Sequence, residues 1–239
     1  MGRVEAYTLI VTSCGRFDLL EKTLSSFFAY ADIPPARTIL IEDSGDGSVR
    51  DVAAPFPVEV IVNERRLGQM AAIDKAYGYI DTPLIFHCED DWEFTRSGFI
   101  AESYRLLHAL PQVSMIGLRD RACLNPLLRD RPTVRDRAGA YFLADPKAHP
   151  EYFSYSFNPG LRRLADYIAI GPFSPLGYEP DISFAFKQAG FQIAYLDQPA
   201  VRHIGDHRHV DDPKAPKRPK NQIQRWGRSL QKRLKRLSR

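Results

Sequence analysis

Residues 86–94, FHCEDDWEF, place three acids in a row directly after an apolar run. Adjacent carboxylates repel one another and resist burial unless a positive charge compensates them. Carboxylate oxygens are also the ligands that Mg²⁺ and Mn²⁺ prefer in proteins. Glu89, Asp90 and Asp91 therefore fit one of two descriptions: a solvated acidic turn, or one wall of a divalent-cation site.

The elements around this acidic run alternate between strand-like and helix-like patterns. Short β-rich or apolar runs cover residues 8–13, 38–43, 58–63 and 83–88, and helical patterns follow the first and the third of them. Near-continuous apolar strands separated by helices are typical of a parallel sheet that is covered on both faces. The pattern predicts an α/β fold with a mostly parallel central sheet.

Three of the predicted strands end in polar residues. Ser13 closes the first strand, Glu42 and Asp43 close the second, and the acidic run closes the fourth. Ligands of such sheets bind beyond the carboxyl ends of the strands. The acidic run is therefore predicted at the functional edge of the sheet, which favours a binding site over a solvated turn.

The remainder of the body is less regular. Residues 119–165 are rich in Arg, Asp and Pro and include an aromatic stretch, residues 152–163. This composition fits either surface loops or an insertion that binds an acceptor. Residues 181–190 then predict a helix that ends at a glycine, and residues 192–196 predict a strand.

The composition is that of a folded protein, with 44% hydrophobic and 26% charged residues. The three cysteines (Cys14, Cys88 and Cys123) have no CxxC spacing, which argues against a disulfide framework and predicts a reducing, cytoplasmic setting. The first residues do not form a signal-peptide pattern, and no apolar run approaches the roughly 20 residues of a membrane-spanning helix.

The net charge of +4 conceals an asymmetry between the body and the C-terminal tail. Residues 214–239 carry eleven Lys or Arg and no acid, whereas residues 1–213 carry 22 basic and 29 acidic residues. Apolar residues of the tail also follow a helical spacing, namely Ile223, Trp226, Leu230, Leu234 and Leu237. The tail is therefore predicted to be a basic amphipathic helix behind a linker that begins at residue 213.

A cationic amphipathic helix with a Trp suits an anionic membrane surface, so peripheral attachment to the inner face of the membrane is one prediction for residues 214–239. Packing of the same apolar stripe on the protein's own body or on a partner subunit is the alternative. The tail does not fit a nucleic-acid-binding segment, because no aromatic stacking platform accompanies its charges.

Four segments, taken in order, resemble family-2 glycosyltransferases of the GT-A fold: TLIVTSCGRFDLLEKTLSSFF (8–28), IEDSGDGS (41–48), the stretch from NERRLGQ to CEDD (63–91), and GYEPDISFAFKQAGFQIAYLDQPAVRHIG (177–205). The last two correspond to the stretch that leads into the family's Asp-x-Asp motif and to its acceptor-side acid and His. The resemblance covers most of residues 7–205. It implies a GT-A-like fold and transfer of a sugar from a nucleoside diphosphate.

The resemblance implies that Asp91 holds Mn²⁺ or Mg²⁺, with Glu89 and His203 as further metal ligands. A bound cation would neutralise the negative charge of the departing diphosphate. His203 begins an HxxxHxH pattern with His207 and His209, but no Cys or fourth ligand accompanies it to favour a zinc site. The remaining donor-binding residues implied by the resemblance are Thr12, Arg16, Asp43, Arg65, Arg66, Asp74, Glu89 and Asp90.

Inverting transfer needs a base that takes a proton from the acceptor hydroxyl. Glu179 matches the family's acceptor-side acid, and Gly177 and Pro180 beside it predict a loop that could face a cleft. Asp181 is predicted to cap the following helix, and it is the alternative base.

We therefore divide the chain into residues 1–118, which bind the nucleotide-sugar, residues 119–212, which bind the acceptor and complete catalysis, and residues 213–239. The expected enzyme is an inverting, hexosyltransferase-type glycosyltransferase that acts on a saccharide or lipid-linked acceptor in surface-glycan assembly. A nucleotidyltransferase acting on sugar phosphates and a non-catalytic sugar-nucleotide-binding protein are the alternatives. The sequence leaves open the donor base, the sugar, the acceptor and the oligomeric state.

Overall fold

The first half of the chain forms the predicted alternation of strands and helices. The structure is a computed structural model that describes residues 5–208 and 210–212. Its first seven elements are β1 (Tyr7–Ser13), α1 (Phe17–Tyr30), β2 (Arg37–Glu42), α2 (Val49–Ala53), β3 (Glu59–Val62), α3 (Gln69–Tyr77) and β4 (Leu84–Glu89).

The second half contains more strands than the sequence predicts. Its elements are β5 (Trp92–Phe94), α4 (Phe99–Ala109), β6 (Val113–Gly117), a 3₁₀ turn (Arg121–Cys123), α5 (Pro126–Arg129), β7 (Val134–Asp136), β8 (Gly139–Leu143), β9 (Gly160–Arg163), α6 (Leu164–Ile170), α7 (Glu179–Gln188), β10 (Gln192–Leu196) and β11 (Val201–His203). Residues 119–165, interpreted as irregular, therefore hold three strands of the structure.

Nine strands form one sheet in the order β3-β2-β1-β4-β9-β6-β10-β8-β7. The pairings among β1 to β4 are parallel, as is the pairing of β6 with β10, whereas β9 pairs antiparallel with both of its neighbours, β4 and β6. Strands β7 and β8 are antiparallel too. The α/β prediction is confirmed, and the sheet is mixed: its parallel half lies where the sequence predicts it.

The order of the strands reverses next to β1. The chain runs outward from β1 through β2 to β3 and then returns to place β4 on the other side of β1. Such a reversal opens a crevice at the carboxyl ends of the two strands concerned, and ligands of open α/β sheets bind there. In this chain the crevice lies between the end of β1 and the acidic run that follows β4.

Both faces of the sheet are buried, which explains the continuous apolar strands. Leu9 and Val11 of β1 pack in the cluster that contains α1, while Ile10 between them packs in the cluster that contains α3. Because successive side chains of a strand point to opposite faces, a strand with helices on both sides must be apolar at every position.

Strand β9 lies in the middle of the sheet although its sequence, GLRR, is half basic. A Cβ atom at Gly160 would collide with the carbonyl of Ile116 on β6, so this close approach requires glycine. The two arginines that follow point to opposite faces of the sheet.

A second, two-stranded sheet pairs β5 with β11 and aligns His203 with Trp92. This pairing brings the end of the described chain back beside the acidic run. No helix among residues 5–208 and 210–212 is long and apolar enough to cross a membrane. The predicted tail helix lies outside the described residues.

Candidate active site

The crevice between β1 and β4 forms a cleft of about 210 Å³ at the carboxyl ends of these strands. Its walls come from the β1–α1 loop, the end of β2, the N-terminus of α3, the acidic run and the last described residues. The lining residues are Thr12, Ser13, Cys14, Arg16, Asp43, Arg66, Gly68, Gln69, Ala72, Glu89, Asp90, Asp91, Val210 and Asp212. Most of the residues predicted to bind the donor thus lie around one cleft.

Arg16 is the cation that compensates the acidic run inside the protein. Its guanidinium forms ion pairs with Asp90 and, at 2.7 Å, with Oδ2 of Asp91. Asp90 is 1% exposed and also accepts hydrogen bonds from the Ser13 hydroxyl at 3.1 Å and the Cys14 backbone N–H at 3.4 Å. Burial nevertheless outweighs the ion pair and raises the pKa of Asp90 to about 6.

Asp91 has one oxygen that is satisfied and one that is not. Oδ2 is shared by Arg16 and by Nε2 of His203, which lies 3.2 Å away. Oδ1 is buried and has no hydrogen-bond partner among the described residues. A buried carboxylate oxygen without a partner is costly, so this atom indicates a ligand that completes the site.

His203 is held in place by its neighbours on β5 and in the following turn. Its ring lies 4.9 Å from the Trp92 ring, and its Nδ1 is 3.0 Å from Oδ1 of Asp206. The carboxylate at Nδ1 orients the imidazole so that Nε2 faces Asp91. Carboxylates commonly orient metal-binding histidines in this way.

These residues fit a hard divalent cation better than they fit zinc. No group of three or more His, Cys, Asp or Glu within residues 5–208 and 210–212 is arranged to hold a metal ion. Mg²⁺-type sites commonly take only one or two protein ligands and complete their shell with substrate phosphates and water. Asp91 and His203 suffice for that arrangement, whereas a structural zinc site needs four ligands. His209 of the HxxxHxH pattern lies outside the described residues.

Glu89 faces a different set of partners. Its Oε1 accepts a hydrogen bond from the Gln69 side chain at 2.9 Å, and its Oε2 accepts one from the Trp92 indole at 3.4 Å. Burial raises the pKa of Glu89 to about 8, and the nearby carboxylates of Asp91 and Glu179 add to the increase. The predicted role of Glu89 as a metal ligand has less support from this geometry than its predicted contact with the donor.

Asp43 organises the loop before α3. Its two oxygens accept hydrogen bonds, each of 2.8 Å, from the Asn63 side chain and from the backbone N–H groups of Leu67 and Gly68. Asp43 still lines the cleft, so it combines a structural role with a place at the binding surface.

The two arginines of this loop differ. Both are exposed, but Arg66 lines the cleft and donates to the backbone carbonyl of Asp211, whereas Arg65 is not part of the cleft wall. The cleft side of the loop also binds Asp212, whose Oδ2 accepts a hydrogen bond of 2.9 Å from the Gln69 backbone N–H.

Asp74 lies away from the cleft. Its carboxylate accepts hydrogen bonds from the Tyr167 hydroxyl at 3.0 Å and from the backbone N–H groups of Phe173 and Ser174 at 2.8 and 2.7 Å. It therefore fastens α3 to the segment between α6 and α7. These contacts give no support to the prediction that Asp74 binds the donor.

Glu179 is the first residue of α7, so it lies at a helix N-terminus rather than on the predicted loop. Its carboxylate accepts hydrogen bonds from the Ser156 side chain and the Phe157 backbone N–H. Burial raises the pKa of Glu179, and these hydrogen bonds and the charges of Arg119 and Arg162 oppose the increase.

Asp181 caps α7 as predicted, although from the third position of the helix. Its Oδ2 accepts a hydrogen bond of 3.2 Å from the Tyr178 backbone N–H. This use of its carboxylate leaves Glu179 as the better placed of the two candidate bases.

Residues 8–167 match the family model "Glycosyl transferase family 2". The chain belongs to glycosyl transferase family 2. The match covers the β1–β4 cleft, the acidic run and β9. It ends before Glu179 and His203. A search of curated proteins found no significant match.

Solved structures show the same fold for this family-2 chain at low sequence identity. GalNAc-T7 with UDP, GalNAc and Mn²⁺ matches with a TM-score of 0.63 at 14% identity, over 85% of this chain and 44% of that one. The mannosyltransferase PcManGT from Pyrobaculum calidifontis, in complex with GDP-Man and Mn²⁺, matches with a TM-score of 0.56 at 14% identity, over 82% of this chain and 55% of that one. The family-2 chain thus spans about half the length of these relatives.

Sequence reasoning missed three residues at the candidate site. Gln69 binds both Glu89 and Asp212, Arg119 lies 5.4 Å from the Trp92 ring centre, and Arg162 lies buried behind Glu179. Gln69 follows a glycine at the expected start of a helix, which is a usable signal. Arg119 and Arg162 lie in segments without a periodic pattern, so the sequence gave no signal for either of them.

Proposed function

We propose that this chain is a metal-dependent, inverting glycosyltransferase that moves a sugar, of hexosyl type, from a nucleoside-diphosphate sugar to a saccharide or lipid-linked acceptor. The observation that carries the proposal is Asp91 at the point where the strand order reverses: its Oδ1 is buried and has no partner among the described residues, and its Oδ2 lies 3.2 Å from Nε2 of His203. Membership of glycosyl transferase family 2 supports the reaction class.

The donor would lie in the cleft of residues 1–118. Asp91 and His203 would hold Mn²⁺ or Mg²⁺, which supplies positive charge to the diphosphate leaving group. Arg66 faces the same cleft and can donate to phosphate oxygens, while Thr12 and Asp43 line the wall at the ends of β1 and β2. UDP in one similar structure and GDP-Man in the other leave the donor base open.

The acceptor would approach from the side of residues 119–212, where Glu179 lies. In a single displacement the acceptor oxygen bonds to the anomeric carbon while the bond from that carbon to the diphosphate breaks. Glu179 takes the acceptor's proton, so charge and atoms balance and the configuration inverts. Because burial raises its pKa, the Glu179 carboxylate is a stronger base than an exposed one.

An Asp91→Ala variant tests the metal assignment. We expect it to lose Mn²⁺-dependent transfer by at least about 100-fold, because loss of a charge-stabilising group at the leaving group acts on the transition state. Glu93→Gln is the matched control, since Glu93 lies two residues on and, within the described residues, forms its ion pair with Arg202 at the surface. Full transfer with unchanged Mn²⁺ dependence in Asp91→Ala would refute the assignment.

Thermal stabilisation by UDP-, GDP-, CMP- and dTDP-sugars with Mn²⁺ would identify the donor, because a ligand at 100 times its Kd adds about 2.7 kcal/mol to the free energy of unfolding. A non-catalytic binding protein would be stabilised equally but would show no turnover. An enzyme would turn over its substrate, and the Glu179→Gln variant would lose that turnover. Family membership argues against a nucleotidyltransferase.

The predicted location is the cytoplasm, with peripheral attachment to an anionic membrane through residues 214–239. The tail lies outside the described residues, and its sequence alone supports this part of the proposal. Removal of residues 214–239 should reduce partitioning onto anionic vesicles, and unchanged partitioning would exclude the membrane role.

A further inference from the structure

Arg162 on β9 is a buried cation without an acid to pair with. Its side chain donates hydrogen bonds to the Tyr155 hydroxyl at 2.7 Å, the Ser156 carbonyl at 3.2 Å and the Asn158 carbonyl at 3.0 Å. The residue is 2% exposed, and its Nε has no partner. Within the described part of the chain, no carboxylate forms an ion pair with it.

A buried charge without an ion pair is costly, and the other neighbours of Arg162 do not neutralise its charge. His87 lies in the same interior, where burial and the charge of Arg162 hold the pKa of its imidazole well below the usual value. That histidine therefore adds no charge of its own at neutral pH. A cation kept at such cost indicates that a negative charge nearby depends on it.

The carboxylate that the Arg162 charge can support is that of Glu179, and the loop of residues 155–158 connects the two residues. Arg162 binds this loop at the hydroxyl of Tyr155 and at the carbonyls of Ser156 and Asn158. The same loop presents the Ser156 side chain and the Phe157 backbone N–H to the Glu179 carboxylate. The loop thus connects the buried guanidinium on one side to the proposed base on the other.

We infer that Arg162 is a positioning residue for Glu179, because it holds the loop of residues 155–158 so that Ser156 and Phe157 donate to the Glu179 carboxylate. This inference rests on the proposed role of Glu179 as the base. Arg162 also favours the ionised form of that carboxylate through its charge, and a base must be ionised before it can accept a proton.

Other charged and titratable groups act on Glu179 or respond to it, so they bear on any pH dependence. They come from β4, the loop after β6, the loop before β9, β9 itself and β10, and they are Glu89, Arg119, Tyr152, Tyr155, Arg162 and Tyr195. Of these, Arg119 and Arg162 supply positive charge, and only Arg162 also holds the loop that binds the carboxylate.

Arg162→Met removes the charge and the three hydrogen bonds. We expect kcat to fall by up to about 100-fold while the KM for the donor stays within about twofold, since a misplaced catalytic group affects the chemical step. Arg162→Lys keeps the charge and should recover part of the loss. Arg163→Met is the matched control: its guanidinium lies on the carbonyls of Leu107, Leu110 and Val113, and kcat should not change.

The acid limb of the pH profile separates positioning from a merely structural role. Loss of the Arg162 charge, or of the Ser156 donor in Ser156→Ala, raises the pKa of Glu179, so kcat should reach its plateau at a higher pH in both variants. Ser156→Ala also provides the test if Arg162→Met does not fold.

An acid limb that stays in place in Ser156→Ala, and in Arg162→Met where that variant folds, would overturn the inference. Equal losses of kcat in Arg162→Met and Arg163→Met would do the same. Glu179→Gln distinguishes the two levels of the proposal. If that variant keeps wild-type turnover, the base itself is wrongly assigned; if it is inactive while the limb does not move, only the role of Arg162 fails.

Discussion

Arg16 and Arg162 are two shielded arginines on the two sides of the candidate active site, and their partners differ. The side chain of Arg16 is 17% exposed and lies between the carboxylates of Asp90 and Asp91. Arg162 is 2% exposed and has only hydroxyl and carbonyl partners among the described residues. The donor side therefore pairs its buried acids with an internal cation, whereas Arg162 on the acceptor side has no ion pair among the described residues.

This difference indicates how each side would respond to its substrate. On the donor side the acids already have a cation, so a metal ion that binds Asp91 must share it with Arg16. On the acceptor side the positive charge would support the proposed base, Glu179, which has to stay ionised until it accepts a proton. Variants at the two arginines should therefore affect different measurements.

Arg16→Met should give the largest loss of stability in this comparison. It leaves Asp90 and Asp91 buried without their cation, and removing one partner of a buried ion pair costs about 3–5 kcal/mol. Urea unfolding at pH 7 measures the loss. Saturating Mn²⁺ with a bound nucleotide should restore part of it, because the metal ion replaces the missing positive charge.

Arg37→Met is the control for Arg16→Met, since it removes an arginine of a surface pair with Glu59 and should leave the urea midpoint close to that of the wild type. If Arg16→Met matched this control, the acidic run would not depend on its internal cation. The contrast with Arg162 would then disappear.

The strands around the two arginines also differ in how well the sequence predicts them. Strands β1, β2 and β4 are apolar runs covered by helices on both faces, so each can be recognised from its own hydrophobic residues. Strand β9 occupies the centre of the sheet with two arginines in four residues, and only its pairing with β4 and β6 makes it a strand. Patterns of hydrophobicity could not identify it.

The same limit applies to the site. The acidic run could be predicted at the sheet edge because it directly follows a recognisable strand. The approach of His203 to Asp91, 112 residues apart, depends on the pairing of β5 with β11, and only the family resemblance pointed to it. The resemblance implied that Asp74 binds the donor, whereas its carboxylate accepts hydrogen bonds from Tyr167 and from the backbone of Phe173 and Ser174.

His87→Gln should give a smaller effect, limited to acid conditions. The folded protein keeps His87 neutral because burial and Arg162 lower its pKa well below 6.5, whereas the unfolded chain binds a proton near pH 6.5. Below that pH the wild type should lose up to about 1.4 kcal/mol of its free energy of unfolding per pH unit from this group. The variant should lack this contribution.

Urea unfolding of both proteins between pH 5 and pH 8 measures the difference. Identical pH dependence in the wild type and His87→Gln would mean that the folded protein accommodates the protonated imidazole next to Arg162. The interior behind Glu179 would then be less sensitive to charge than its burial indicates.

Arg66→Ala and Arg65→Ala should give the smallest effects, and they test the donor side alone. Arg66 lines the cleft and can exchange its contact with the Asp211 carbonyl for a diphosphate oxygen, whereas Arg65 is not part of the cleft wall. An exposed charge contact of about 1 kcal/mol corresponds to about a fivefold change in Kd.

Calorimetric titration with UDP and GDP in the presence of Mn²⁺ should show this weakening in Arg66→Ala only. Added salt should reduce the difference, because it screens exposed charges. Equal weakening in both variants would mean that the loop acts through its total charge, and that the cleft geometry does not select Arg66.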